Sequence, residues 1–120
     1  MALKKRFVVV GAGSIGMRHA RLLASRKDIV VELCDTDDGA LDAAVRKLGV
    51  LPLHQSYDAM LQSKPDMILV ASPHQWHVPQ TLQALEAGIH VLCEKPMSND
   101  LVTAKSVLEV GKHTDKIVSY

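Results

Sequence analysis

The chain has 120 residues, a formal net charge of +1, 48% hydrophobic residues and 22% charged residues. This length suits one globular domain, and a charge so close to zero gives no reason to expect a nucleic acid or an anionic membrane as partner. No apolar run reaches the roughly 18 residues of a membrane-spanning helix, and the short run after the basic start is not a signal peptide. We therefore predict a single domain over residues 1–120.

The two cysteines, Cys34 and Cys93, lie inside apolar runs and not at the spacing of metal ligands. Buried, reduced thiols of this kind are typical of cytoplasmic proteins. The sequence thus predicts a cytoplasmic protein and no metal site.

Strands and helices alternate from the start of the chain. The apolar run from Phe7 to Val10 is typical of a strand buried on both faces. A helix follows from Ser14 to about Ser25, with four residues expected to face inward: Ile15, Ala20, Leu22 and Leu23. After a second strand from Ile29 to Cys34, another helix ends at Gly49 and carries an inward stripe of four residues: Leu41, Ala44, Val45 and Leu48.

The second half of the chain continues the alternation. Four further strands are predicted: Val50 to Leu53, Met67 to Ala71, Ile89 to Cys93 and Lys116 to Ser119. Three helices alternate with them: a short one capped by Ser56, one from His77 to about Ala87, and one capped by Ser98 or Asn99 and ending near Lys112. Alternation with short connections is the signature of a parallel sheet with helices on both faces. The fold class is therefore α/β, a doubly wound sheet.

A glycine-spaced turn joins the first strand to the first helix. Gly11, Gly13 and Gly16 have the spacing Gly-x-Gly-x-x-Gly. Glycines at this spacing let the main chain turn tightly, let a pyrophosphate approach without meeting a Cβ atom, and let the helix pack close to the strand. The helix N-terminus adds free N–H groups and a partial positive charge, so the turn predicts a phosphate-binding site.

Asp35 ends the second strand. It lies 19 residues after Gly16, close to the about 20 at which a carboxylate binds the adenosine ribose in dinucleotide sites. A carboxylate accepts hydrogen bonds from the ribose hydroxyls and repels a 2′-phosphate, which favours NAD over NADP. A helix cap is the alternative role for Asp35. Methyltransferases that use S-adenosylmethionine also combine a glycine turn with such an acid, but the tight spacing favours a dinucleotide.

Two further segments follow later strands, where ligands of doubly wound sheets bind. The first is Ser72-Pro73-His74-Gln75-Trp76-His77, in which Pro73 has a fixed φ and no N–H and can form a rigid wall against a flat ring. His77 begins a helix and could exchange a hydrogen bond with a ligand, although a solvated loop histidine is an equal alternative. The second is Glu94-Lys95-Pro96, where Lys95 could assist deprotonation of a substrate hydroxyl.

Three segments together resemble the Gfo/Idh/MocA family (glucose-fructose oxidoreductase, inositol dehydrogenase and rhizopine catabolism proteins): Gly11 to Gly16, Ser72-Pro73-His74 with His77, and Ala87 to Pro96. The resemblance covers essentially the whole chain. It implies an amino-terminal Rossmann domain with strand order 3-2-1-4-5-6 that binds NAD or NADP. It also implies a following α/β domain that holds the substrate.

The resemblance also implies a role for each site residue. Lys95 would be the catalytic lysine, Asp35 would bind the ribose, and Glu94 would border the nicotinamide with Lys95. The pyrophosphate would be held by Gly11, Gly13, Ser14, Ile15 and Gly16. The nicotinamide side would be lined by Ser72, Pro73 and His77.

The family implies an oxidoreductase that transfers a hydride between a nicotinamide cofactor and a sugar, cyclitol or similar polyol. Its members usually take a second catalytic group, often a histidine preceded by an aspartate, from the second domain. No residue among these 120 is assigned that role, so we expect cofactor binding and little turnover from this chain alone. The alternative function is a non-catalytic dinucleotide-binding regulatory or partner-binding module. An exposed edge at the sixth strand would permit homo-oligomers.

Overall fold

The computed structural model describes residues 4–95 and 101–119. Within them, six parallel strands form one sheet in the order β3-β2-β1-β4-β5-β6, which confirms the predicted topology. The strands are β1 Lys5–Val10, β2 Ile29–Cys34, β3 Leu53–His54, β4 Met67–Val70, β5 His90–Cys93 and β6 Val118–Ser119. The helices are α1 Ser14–Ala24, α2 Asp38–Leu48, α3 Tyr57–Gln62, α4 His77–Glu86 and α5 Leu101–Lys112, with a 3₁₀ turn at His74–Trp76.

The sheet is buried on both faces around β1. Successive side chains of a strand project to opposite faces, so Val8 and Val10 pack in one core cluster and Val9 packs in another. The first cluster includes Met60 of α3 and Leu85 of α4, and the second is covered by α1 and α2. This two-sided burial is what the continuous apolar run of β1 predicted.

Helix α1 is rotated relative to the prediction. Ala20 is buried and Leu23 is partly buried, but Ile15 and Leu22 are 54% and 64% exposed, so the prediction that they face inward was wrong. The reason is Gly16, which is buried against the main chain of the preceding turn. A glycine in that contact turns its own side of the helix toward the sheet and leaves two of the larger apolar residues outside.

The ends of α2 agree with the sequence pattern. The carboxylate of Asp37 caps the helix by accepting a 2.9 Å hydrogen bond from the N–H of Gly39. Gly49 follows the last residue with φ +87°, in the region where glycine is favoured. Its N–H donates to the carbonyl of Val45 and ends the helix.

The edge strands are shorter than predicted. β3 is only Leu53–His54, because Pro52 has no N–H to extend the ladder, although its carbonyl still accepts from Leu33 N–H at 3.0 Å. β6 is confined to Val118–Ser119 instead of starting at Lys116. The predicted caps of α5, Ser98 and Asn99, lie outside the described residues. No helix in the described ranges is long and apolar enough to cross a membrane.

A buried carboxylate fastens β1, β2 and β3 together. Glu32 of β2 is 4% exposed and accepts two hydrogen bonds from Arg6, from Nε at 2.7 Å and from Nη2 at 2.9 Å. His54 Nε2 lies 2.8 Å from the same carboxylate. The hydrogen bond from Arg6 is the main reason that the pKa of Glu32 is lowered. This acid therefore has a structural role.

Candidate functional site

A cavity of about 730 Å³ opens at the carboxyl ends of the central strands. Its wall is formed by the β1–α1 turn, the end of β2, the β4–α4 loop and the end of β5. Of the predicted site residues, all but Gly16 line it: Gly11, Gly13, Ser14, Ile15, Asp35, Ser72, Pro73, His77, Glu94 and Lys95. The strand order brings these segments together, because β1 and the parallel strand β4 are neighbours at the point where the order of the strands across the sheet reverses.

The three glycines have different physical roles. Gly11 has φ +102°, and a Cβ atom there would lie 2.8 Å from the carbonyl oxygen of Ala71. A Cβ atom at Gly16 would lie 1.7 Å from the carbonyl oxygen of Gly11, so any side chain would push α1 off the turn. A Cβ atom at Gly13 would have no neighbour within 4 Å, and Gly13 lines the open cavity. Two glycines therefore close the turn, and the third leaves room in front of it.

The N-terminus of α1 is open to the cavity. Gly13 caps the helix without any side-chain hydrogen bond, and the first turn carries no acidic residue. The N–H groups of a first helical turn have no partner within the helix and bind anions well. Ser14 and Ile15, which begin α1, both line the cavity. The turn thus fits a phosphate group.

Asp35 holds the glycine turn from the side of β2. Its Oδ2 accepts a hydrogen bond from Ala12 N–H and its Oδ1 accepts one from Asp37 N–H, both at 2.9 Å. The carboxylate is partly exposed in the cavity and retains capacity to accept further hydrogen bonds. Asp37 also lines this end of the cavity, where no lysine or arginine of the described residues does so. This end is suited to hydroxyl groups and unfavourable to an additional phosphate.

The β4–α4 loop is held by two polar side chains of α4. His77 is only 1% exposed, and its Nε2 donates to the Ser72 carbonyl at 2.8 Å. The solvated-loop alternative for His77 was therefore wrong, because its ring is enclosed beneath the loop. Ser72 Oγ donates to Gln80 Oε1 at 2.5 Å, and Tyr57 Oη donates to the Gln80 carbonyl.

Gln80 and Tyr57 also line the cavity, although neither was predicted to do so from the sequence. Gln80 lies three residues after His77, so the two share one face of α4, and this spacing was the available signal. Tyr57 begins α3, and its position beside the cavity follows only from the packing of α3 against α4.

Lys95 lies exposed at the rim of the cavity, directly after Glu94. The Glu94 N–H continues the ladder with β4 by donating to the Val70 carbonyl at 2.9 Å. Its carboxylate accepts a hydrogen bond from His19 of α1, a residue that the sequence analysis did not single out. Pro96, the third residue of the predicted segment, lies outside the described residues.

Both cysteines are buried and free, as predicted. Burial raises the pKa of the Cys34 thiol to about 12 and that of Cys93 to about 11. The thiols are therefore neutral at physiological pH and unsuited to nucleophilic chemistry. Among residues 4–95 and 101–119, no group of three histidine, cysteine or acidic side chains is placed to hold a metal ion.

Residues 5–120 match the family model described as the oxidoreductase family, NAD-binding Rossmann fold (GFO_IDH_MocA). The chain belongs to this family. Among its relatives, the D-glucoside 3-dehydrogenase of Escherichia coli (strain K12) is 34% identical over 96% of the chain, and an inositol 2-dehydrogenase of Corynebacterium glutamicum (strain R) is 31% identical over 97%. The match confirms the resemblance noted on the three motifs.

Solved structures of family members have the same architecture. The myo-inositol 2-dehydrogenase of Lactobacillus plantarum superposes with a TM-score of 0.88 at 29% identity, covering 98% of this chain and 36% of that one. The scyllo-inositol dehydrogenase of Lactobacillus casei, solved with NAD(H) and scyllo-inositol bound, gives a TM-score of 0.86 at 27% identity, covering 98% and 36%. The chain spans only about a third of the length of these relatives, including 34% of the E. coli enzyme and 35% of the C. glutamicum enzyme.

Proposed function

We propose that the chain binds NAD in the cavity and forms the cofactor-binding part of an oxidoreductase. The reaction would transfer a hydride between the nicotinamide ring and a carbinol carbon of a sugar, cyclitol or similar polyol. One observation carries the proposal: the open first turn of α1 and the Asp35 carboxylate border the same cavity as Lys95. The named activities of the relatives support the substrate class.

The residues of the turn would hold the pyrophosphate. Gly13 leaves room in front of α1, and the main-chain N–H groups of Ser14 and Ile15 would donate to phosphate oxygens. Gly11 and Gly16 would act indirectly, by allowing the turn to close. Asp35 would accept hydrogen bonds from the ribose hydroxyls while keeping its two bonds to main-chain N–H groups.

The β4 and β5 segments would border the nicotinamide. Pro73 would form a wall at the end of β4, with Ser72 and His77 fixing the loop that carries it. When bound, NAD supplies the hydride acceptor for oxidation of an alcohol. Lys95 would hydrogen-bond the substrate hydroxyl and assist removal of its proton, with Glu94 beside it.

Binding of NADH and NADPH measured by isothermal titration calorimetry tests the cofactor proposal. We expect NADH to bind more tightly than NADPH, because Asp35 and Asp37 would face the additional phosphate. The variant Asp35→Asn is expected to lose about tenfold in NADH affinity, or about 1.4 kcal/mol, and to discriminate less between the two cofactors.

Asp38→Asn is the matched control, because Asp38 lies in the exposed first turn of α2 and does not line the cavity. It should bind NADH as the parent chain does. Failure of the folded parent chain to bind either cofactor at millimolar concentration would overturn the proposal.

We also propose a cytoplasmic location for the protein, because two free, buried thiols suit a reducing compartment.

A homo-oligomer is a further proposal. The outer edge of β6 is a potential pairing surface. Size-exclusion chromatography of the chain over a range of concentrations tests this, and a clean monomer throughout would count against it.

A further inference from the structure

A hydrogen bond joins α1 to the segment that carries Lys95. His19 and Glu94 are 75 residues apart in sequence, and His19 Nε2 donates to Glu94 Oε1. The two side chains are 27% and 29% exposed, so the contact is largely shielded from water. A carboxylate can only accept hydrogen bonds, so the histidine must present its Nε2 proton to Glu94.

Glu94 is therefore held at two points. Its main chain is tied to β4 through the hydrogen bond to the Val70 carbonyl, and its side chain is tied to α1 through His19. Within residues 4–95 and 101–119, the Glu94 carboxylate has no other hydrogen-bond or ion-pair partner. Lys95, the next residue, is exposed and has neither kind of contact in the same part of the chain. The orientation of Lys95 thus depends on how residue 94 is fixed.

The position of His19 follows from the glycine turn. His19 is three residues after Gly16, so the two lie on neighbouring positions of one helix face. The contact of Gly16 with the Gly11 main chain sets the distance of α1 from the sheet. A larger residue at position 16 would move the helix and carry His19 away from Glu94. The same close contact that opens the phosphate site therefore brings His19 to the β5 side.

We infer that His19 is a positioning residue for the nicotinamide half of the site. His19 does not line the cavity, so it acts through the Glu94 carboxylate, which fixes the main chain from which Lys95 projects. In this arrangement Glu94 helps to orient Lys95 through its hydrogen bond with His19. The inference rests on the proposed function, because it assumes that NAD occupies the cavity.

The test compares two ligands, NADH and ADP-ribose, which shares the adenosine, pyrophosphate and second ribose but lacks nicotinamide. We expect His19→Leu to weaken NADH binding by about fivefold, which is less than the full effect of losing a hydrogen bond to a charged group because His19 acts on the nicotinamide only through Glu94. ADP-ribose binding should change by less than about twofold. NADH fluorescence gives a second, nicotinamide-specific readout, and its change on binding should be reduced in the variant.

Two variants and one control complete the design. His19→Gln keeps an N–H donor and should restore NADH binding to within about twofold of the parent chain. Glu94→Leu removes the acceptor at similar size and should reproduce the His19→Leu pattern if that variant does not fold. His113→Leu, at an exposed histidine after α5, is the matched control and should leave both ligands unaffected.

Equal weakening of both ligands, or no change in either, would overturn the inference and leave the proposed function standing. The same holds if His19→Gln binds NADH as poorly as His19→Leu. Failure of the parent chain to bind either ligand is a different outcome, which overturns the proposed function and this inference together.

Discussion

On the β1–β2 side of the cavity the glycine turn is closed by contacts between main-chain atoms and braced by the Asp35 carboxylate, whereas on the β4–β5 side the contacts that hold the segments involve side chains. Gly11 approaches the Ala71 carbonyl and Gly16 approaches the Gly11 carbonyl, with no space for a Cβ atom at either glycine. On the other side, His77 holds the Ser72 carbonyl and His19 holds the Glu94 carboxylate.

The two kinds of contact differ in how they tolerate substitution. A main-chain contact admits no side chain, so one added methyl group must move a helix or a strand. A side-chain contact can be replaced by another residue that offers a donor in the same place. We therefore expect all-or-none effects on the β1–β2 side and graded effects on the β4–β5 side.

Gly16→Ala should have the largest effect. The new Cβ atom would lie 1.7 Å from the Gly11 carbonyl oxygen, and the clash is expected to lower the free energy of unfolding by about 3 kcal/mol. Urea unfolding monitored by circular dichroism measures this. NADH binding should fall as well, because α1 would be displaced from the turn.

Gly13→Ala is the control for that clash, because its Cβ atom would meet nothing within 4 Å. Its unfolding free energy should fall by no more than about 1 kcal/mol, the cost of a poorer helix cap. Its NADH binding should nevertheless be lost, because the methyl group occupies the space in front of the helix N-terminus. Equal free energies of unfolding for Gly16→Ala and Gly13→Ala would contradict the inference that Gly16, unlike Gly13, lacks room for a Cβ atom.

His77→Leu should have the next largest effect, about 2 kcal/mol on the free energy of unfolding. The histidine is 1% exposed, and its loss leaves the Ser72 carbonyl without this donor. His74→Leu is the matched control, because His74 is exposed in the same loop. If both variants are equally stable to urea, the loop does not depend on the buried ring.

Cys34 ends β2 and Cys93 ends β5, both are buried in the same core cluster, and they are expected to respond alike to pH. Burial raises the pKa of each thiol above its ordinary value of 9.0, so the unfolded chain loses these protons first as the pH rises. The stabilisation is complete below pH 9 and decreases above it. For each cysteine, we expect the free energy of unfolding to fall by about 1 kcal/mol as the pH rises from about 8 to about 10.

Urea unfolding at pH 8, 9 and 10 measures this dependence. The double variant Cys34→Ala, Cys93→Ala should show a flatter profile than the parent chain. Burial also raises the pKa of Tyr57. The double variant should therefore keep part of the decrease in unfolding free energy near pH 10, because the tyrosine is still present. An unchanged slope in the double variant would rule out the thiols as its cause.

Lys95→Met should have the smallest effect on stability, within about 0.5 kcal/mol, because the side chain is exposed and carries no ion pair in the described part of the chain. This separates Lys95 from His77, whose substitution changes the fold around the site. A large loss of stability in Lys95→Met would show that the β5 side depends on this lysine for structure.

Much of the site was predictable because its signals are local. The glycine spacing, the acid after β2 and the segments after β4 and β5 all follow strand ends, and the parallel order brings strand ends together. His77 shows the limit of this reasoning. Its place at the start of α4 was predicted, but its burial depends on how α4 packs beneath the β4–α4 loop.

The sequence by itself determined the alternation of strands and helices, the glycine turn and the position of Asp35, because periodicity and glycine spacing act over a few neighbouring residues. Only the tertiary structure decided the rotation of α1, which exposes Ile15 and Leu22, and the pairing of His19 with Glu94. Those features arise where a helix meets a turn or a distant strand. Contacts between residues 75 positions apart leave no local pattern in a single sequence.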